Sequence, residues 1–204
     1  MHTGLHLPFD ALDLPPERIA ASFRWARQQG HPGYIWPDLP IADWRAALYA
    51  IERAAAALLA SPPGPARLDT PAGGTLALSV AAYTSGLGPY LGRAIETGAL
   101  EVADEAAALL ALHLEHARRR ARRLEAELTR VLDVLGGAGI LVTVLKSAHT
   151  AREYFPEPAT RPAADIDLAV PEDDLATAER ALIDAGYTLE RRQPRPRQST
   201  WVPP

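Results

Sequence analysis

Apolar residues recur at helical spacing through most of the first two thirds of the chain. Residues 15–29 predict a helix, with Pro-Pro-Glu suiting a first turn and Gly30 its stop. Residues 41–60 predict a second, rich in alanine and leucine, ended by Ser61-Pro62-Pro63-Gly64-Pro65. Between 71 and 98 shorter helices alternate with glycine breaks. From 102 to 135 the pattern is clearest. Leu114, Ala117, Ala121, Leu124, Leu128, Val131 and Leu135 are spaced by threes and fours, one stripe of a helix roughly 50 Å long. Gly136, Gly137 and Gly139 end it.

The period then changes. Ile140 to Leu145 is a short apolar run of strand length, and 147–154 is helical in pattern. A proline-rich loop covers 156–162, and 166–170 predicts a second strand. Pro171-Glu172-Asp173-Asp174 opens a helix to about 185, Gly186 caps it, and 187–190 predicts a third strand. The end of the chain, rich in proline, reads as extended or disordered. The fold class expected is α+β: a helical region over 1–136, a small, truncated α/β core with flanking helices over 137–193, and a tail over 194–204.

Composition changes this picture little. The 204 residues suffice for one large or two small domains, and a net charge of -4 gives no general pull towards nucleic acid. Cysteine is absent, which removes disulfides and thiolate metal sites. No secretory leader pattern or membrane-length apolar run occurs, so a cytoplasmic protein without a membrane partner is expected. One oddity bears on chemistry: of 21 basic residues, Lys146 is the single lysine.

Asp165 and Asp167 flank Ile166 at the head of the second strand. On a strand both carboxylates would point to one face, about 7 Å apart along the backbone. Such a pair repels unless a cation lies between, and Mg²⁺ suits hard carboxylate oxygens and phosphate together. Alone the triplet is better explained by a solvated strand end or loop. Its surroundings add weight. Leu145-Lys146-Ser147 falls at a strand-to-helix junction, where free N–H groups suit phosphate, with Lys146 adding charge and Ser147 a hydroxyl. Arg161, four residues before Asp165, is placed to clamp a phosphate or brace the acidic pair.

In this order, Ala138-Gly139-Ile140-Leu141-Val142-Thr143-Val144-Leu145-Lys146-Ser147, Tyr154, Arg161, Asp165-Ile166-Asp167-Leu168 and Gly186-Tyr187 resemble the uncharacterised nucleotidyltransferase family of the polymerase-β superfamily, a bacterial family with a helical N-terminal region. The resemblance implies a nucleoside triphosphate substrate and Mg²⁺ on Asp165 and Asp167. It implies nucleotide binding by Lys146, Ser147 and Arg161, and an acceptor that is a small molecule, peptide or protein.

Two departures matter. Leu-Lys-Gly of the family is Leu-Lys-Ser here, and the third carboxylate that the superfamily carries on a later strand has only Glu190 as a candidate in a suitable element. The chain is accordingly either a transferase fragment or a catalytically incomplete module that binds nucleotide or a partner. Elsewhere the bland readings are preferred. The arginines from 118 to 123 form a solvated face with Glu115–Arg119 and Arg123–Glu127 pairs rather than a nucleic-acid site. The long stripe packs within the chain rather than as a coiled-coil homodimer. His113 and His116 lie at the surface rather than on a metal. His149 is equally a phosphate contact or a packing residue, and Trp25, Trp36 and Trp44 belong to the helical core.

Overall fold

A computed structural model describes residues 39–60, 64–163, 165–193 and 198–204. The helix expected over 15–29, with Trp25 and Trp36, lies outside them. The elements run α1 (Ile41–Leu59), β1 (Ala66–Leu68), α2 (Gly74–Ser85), α3 (Gly88–Glu96), β2 (Leu100–Val102) and α4 (Asp104–Gly137). They continue with β3 (Thr143–Leu145), α5 (Lys146–Tyr154), a short 3-10 turn (Pro158–Thr160), β4 (Asp167–Ala169), another such turn (Glu172–Asp174), α6 (Leu175–Asp184), β5 (Thr188–Gln193) and β6 (Gln198–Val202). The expected α+β class is observed. Two compact units emerge: residues up to 121 with 154–162, and residues 122–153 with 163–204.

The first unit is built on α2, which buries Ala77, Leu78, Ser79, Val80, Ala81 and Ala82 in succession. A helix apolar on nearly every side must sit inside a layer of neighbours. α1 covers it with Trp44, Ala47 and Ile51, and the Trp44 indole donates to Thr84 Oγ1 at 3.2 Å. β1 and β2 pair in parallel, Ala66 opposite Leu100, a geometry that requires the crossover which α2 and α3 supply. α3 meets α4 through glycines. A Cβ on Gly92 would stand 2.5 Å from the Leu110 carbonyl oxygen, and one on Gly88 would stand 2.7 Å from His113 Nδ1. His113 is accordingly buried, 3 % exposed, with Nε2 at 3.4 Å from Ser79 Oγ. The surface position expected for it is corrected: the sequence does not show that two glycines clear a space for an imidazole.

The second unit gathers Val131 and Leu135 of α4, Ile140, Ala178 and Leu182 of α6, and Tyr187 into one core. The stripe read on α4 is real and packs inside the chain: Leu114, Leu128, Val131 and Leu135 are all buried. α4 ends through Gly139 at φ 76, with the Ile140 N–H bonded to the Leu135 carbonyl at 3.0 Å. α6 ends the same way, through Gly186 at φ 89 and the Tyr187 N–H on Leu182. Each left-handed glycine turns the next apolar residue back onto the core. β3 starts three residues later than expected, with Leu141 exposed. β3 and β4 are antiparallel, Leu145 opposite Asp167. Of the two readings of the tail, extended or disordered, residues 198–202 take the extended one as β6, which pairs with β5 and sets Trp201 on this core.

Candidate functional site

The β3–β4 ladder explains how Lys146 and Asp167 meet although 21 residues separate them. Leu145 is cross-strand partner to Asp167, so the next residue leaves the sheet beside that carboxylate. Lys146 Nζ lies 3.2 Å from Asp167 Oδ1. The lysine side chain is 70 % exposed and the aspartate 22 %, so the ammonium caps a carboxylate that is largely shielded.

The backbone of Lys146 is unusual as well. Its φ is 43°, the sole positive value for a non-glycine residue among the described residues. A side chain there costs about 1–2 kcal/mol, so the strained, left-handed residue falls on the lysine itself. This turn starts α5, whose first N–H groups have no intrahelical acceptors. Ser147 is the second residue of that helix. His149 is exposed and Ala151 buried, so His149 does not serve the packing of α5.

Asp165 and Asp167 do not share a strand as expected. Asp167 is the first residue of β4, and Asp165 lies in irregular chain before it, exposed. Among the described residues no three acidic or histidine side chains gather as a metal cage. The two aspartates nevertheless suit a metal brought with a nucleotide, because Mg²⁺ is commonly held by one or two carboxylates with phosphates and water completing its shell. Glu190 falls where β5 is irregular: Leu189 pairs with Trp201 and Arg191 with Thr200, leaving Glu190 as the extra residue of a bulge. Among the described residues β5 pairs with β6 and not with β3 or β4.

Arg161 belongs to the first unit, on the segment 154–162. It is half-buried, with φ -108, and among the described residues no ion pair holds its guanidinium. Its neighbours are fixed. Thr160 is 1 % exposed and donates to the Glu157 carbonyl through both its N–H (2.9 Å) and its hydroxyl (2.7 Å). The Pro162 ring lies 3.5 Å from where a Gly86 Cβ would be.

Pattern reading missed what ties this segment down. Arg118 of α4 binds Glu157 twice, Nε–Oε1 at 2.7 Å and Nη2–Oε2 at 2.8 Å, and binds Glu96 twice, at 2.7 and 2.8 Å. Arg93 adds a contact to Glu96 at 3.0 Å. Arg118 holds the Glu96 carboxyl down to about 2 and lowers that of Glu157 in the same way. The sequence alone groups Arg118 with a solvated face, because charge runs reveal only partners within one turn. Of the local pairs expected, Glu115–Arg119 forms at 3.4 Å. Glu127 instead accepts from Arg130 at 3.1 Å and from the Tyr187 hydroxyl at 2.5 Å, so the Arg123–Glu127 pair is corrected.

No described helix is long and apolar enough to cross a membrane. No curated protein and no solved structure matches the chain. A family model described as uncharacterised nucleotidyltransferase matches residues 76–202, from the start of α2 to the end of β6. With that match over more than half its length, the chain belongs to the uncharacterised nucleotidyltransferase family.

Proposed function

We propose that the protein transfers a nucleoside monophosphate from an Mg-bound nucleoside triphosphate to a hydroxyl or phosphate of a small molecule, peptide or protein. The observation that carries this reading is the Lys146–Asp167 contact on a strained lysine at a helix start. An ammonium beside a carboxylate is what a site needs to receive anionic phosphate and its cation together. In the reaction the acceptor oxygen bonds to the α-phosphorus, the bond from that phosphorus to the bridging oxygen breaks, and pyrophosphate leaves. The acceptor proton passes to a carboxylate or to solvent.

Asp165 and Asp167 are the residues that would hold Mg²⁺, which supplies charge neutralisation at the phosphates. Lys146 contributes a point charge to the same phosphates. The α5 N-terminus with Ser147 supplies hydrogen-bond donors, and Arg161 supplies a planar guanidinium for a phosphate. The test is calorimetric titration of Mg-ATP and Mg-CTP into the wild type and into an Asp165→Ala/Asp167→Ala variant. Binding by the wild type that the variant loses is expected. No heat, or equal heat from both, refutes the reading.

A second reading is favoured by one observation: the strand that carries Glu190 pairs with β6. On this reading the chain binds nucleotide or a partner without turning over. Transfer of an α-phosphate label from any of the four triphosphates to an acceptor would exclude it.

A further inference from the structure

At the head of β4 two cations have a claim on one carboxylate. Asp167 is one of the two residues that would hold Mg²⁺, and its Oδ1 lies 3.2 Å from the Lys146 ammonium. We propose that Lys146 is a resident counter-ion for Asp167 that changes partner, from this carboxylate to the incoming phosphates, so that the divalent cation enters with the nucleotide and not ahead of it. This deepens the nucleotidyltransferase reading above and rests on it. Lys146, Asp165 and Asp167 all belong to the second unit, so the exchange is a property of that unit alone.

Charge sets the order. The two aspartates are formally negative and the lysine positive, so the three side chains together keep a single negative charge. A lone divalent ion would have to displace the ammonium from Oδ1 and then bear its repulsion. Among the described residues no third acidic or histidine side chain gathers there to offset that. A triphosphate reverses the balance. Its oxygens accept the ammonium, free Oδ1 and complete the shell of the metal together.

The geometry permits the exchange. The lysine side chain is 70 % exposed and the aspartate 22 %, so the ammonium can swing while the carboxylate stays in place. Leu145 pairs with Asp167, which keeps the lysine backbone beside the carboxylate whichever partner the ammonium has. An ion pair open to water on one side is weak, so phosphate can draw the ammonium away at little cost. Because metal and nucleotide share this one lysine, each raises the affinity for the other by the same factor.

The experiment is a pair of titrations on the full chain: Mn²⁺ alone, with the free ion counted by paramagnetic resonance, and Mg-ATP by calorimetry. A lysine that merely binds phosphate, or merely supports the fold, would not hold Mn²⁺ back. In Lys146→Ala, Mn²⁺ alone binds about fivefold more tightly, while Mg-ATP binds about tenfold more weakly. The two affinities thus move in opposite directions. Adding Asp167→Asn abolishes the gain in Mn²⁺ affinity, which ties it to this carboxylate. Arg119→Ala, which removes a cation paired with Glu115 in the first unit, leaves both titrations as in the wild type.

Should Lys146→Ala fail to fold, Lys146→Gly removes the same charge, relieves the backbone at φ 43 and carries the same expectations. Unchanged or weaker Mn²⁺ binding in the lysine variant overturns the proposal, as does a gain that survives Asp167→Asn. If the wild type itself binds no Mg-ATP, the nucleotidyltransferase reading fails and the phosphate half of the exchange falls with it. That outcome is told apart because the Mn²⁺ titration still reports whether Lys146 guards Asp167.

Discussion

The ammonium of Lys146 lies 3.2 Å from Oδ1 of Asp167, and it does so because Leu145, the residue just before it, pairs across the sheet with Asp167 itself. The contact is exposed on the lysine side, so it adds little to stability. Its backbone is another matter, with φ at 43°. Lys146→Ala keeps the strain and loses the charge, whereas Lys146→Gly loses both. Both variants are expected to bind Mg-ATP about tenfold more weakly. Lys146→Gly should unfold at higher denaturant than Lys146→Ala, by about 1 kcal/mol. Equal unfolding midpoints would speak against a left-handed lysine.

His113 sets an acid limit on the first unit. Burial, the larger cause, and the neighbouring His116 push its pKa from 6.5 down to about 4. Below pH 6.5 the unfolded chain binds a proton that the folded chain refuses until about pH 4. Stability is therefore full above 6.5 and falls through that window, by about 2 kcal/mol between pH 7.5 and 5. Urea unfolding at the two pH values measures it. His113→Gln should flatten the difference, and an unchanged slope in that variant would show that another group causes it.

Gly92 is required by packing. An alanine methyl there would approach the Leu110 carbonyl oxygen to 2.5 Å and Leu114 Cβ to 3.0 Å. Backbone cannot swing aside as a side chain can, so α3 must move off α4. Gly92→Ala is expected to cost about 1–3 kcal/mol, despite alanine's better helix propensity. A melting temperature at or above wild type would contradict the close approach.

Tyr187 anchors β5 to α4. Its hydroxyl donates to Glu127, Arg130 lies over its ring at 4.9 Å, and burial with the Glu127 bond pushes its pKa up to about 12. Tyr187→Phe keeps the ring and leaves Glu127 to Arg130 alone. A loss of about 1–2 kcal/mol is expected by denaturant unfolding. The phenol should also resist ionisation in an absorbance titration past pH 11, and ordinary titration near 10 would deny the bond.

Much of this was legible in advance because it depends on local rules. Periodicity placed α1, α4 and α6 to within a few residues, since a helix buries a stripe whose spacing is written in the chain. The order Lys146, Arg161, Asp165, Asp167 marked the family, since a motif is sequence by nature. Short strands were less legible. Ile140 and Leu141 look alike by composition, yet one is buried and the other exposed, and only β4 decides where β3 begins.

The triplet shows the division most clearly. By itself the sequence determined that two aspartates stand next to a strand of a nucleotidyltransferase, downstream of a single lysine. Tertiary structure decided that Asp167 alone enters the strand, that Lys146 is folded onto it, and that Arg161 rides on a segment tied by Arg118 and Glu157. The physical reason is range. Hydrogen bonding and burial within a helix or strand act on residues a few positions apart. The Lys146–Asp167 and Arg118–Glu157 pairings join residues 21 and 39 positions apart, and these exist only once strands and helices have packed.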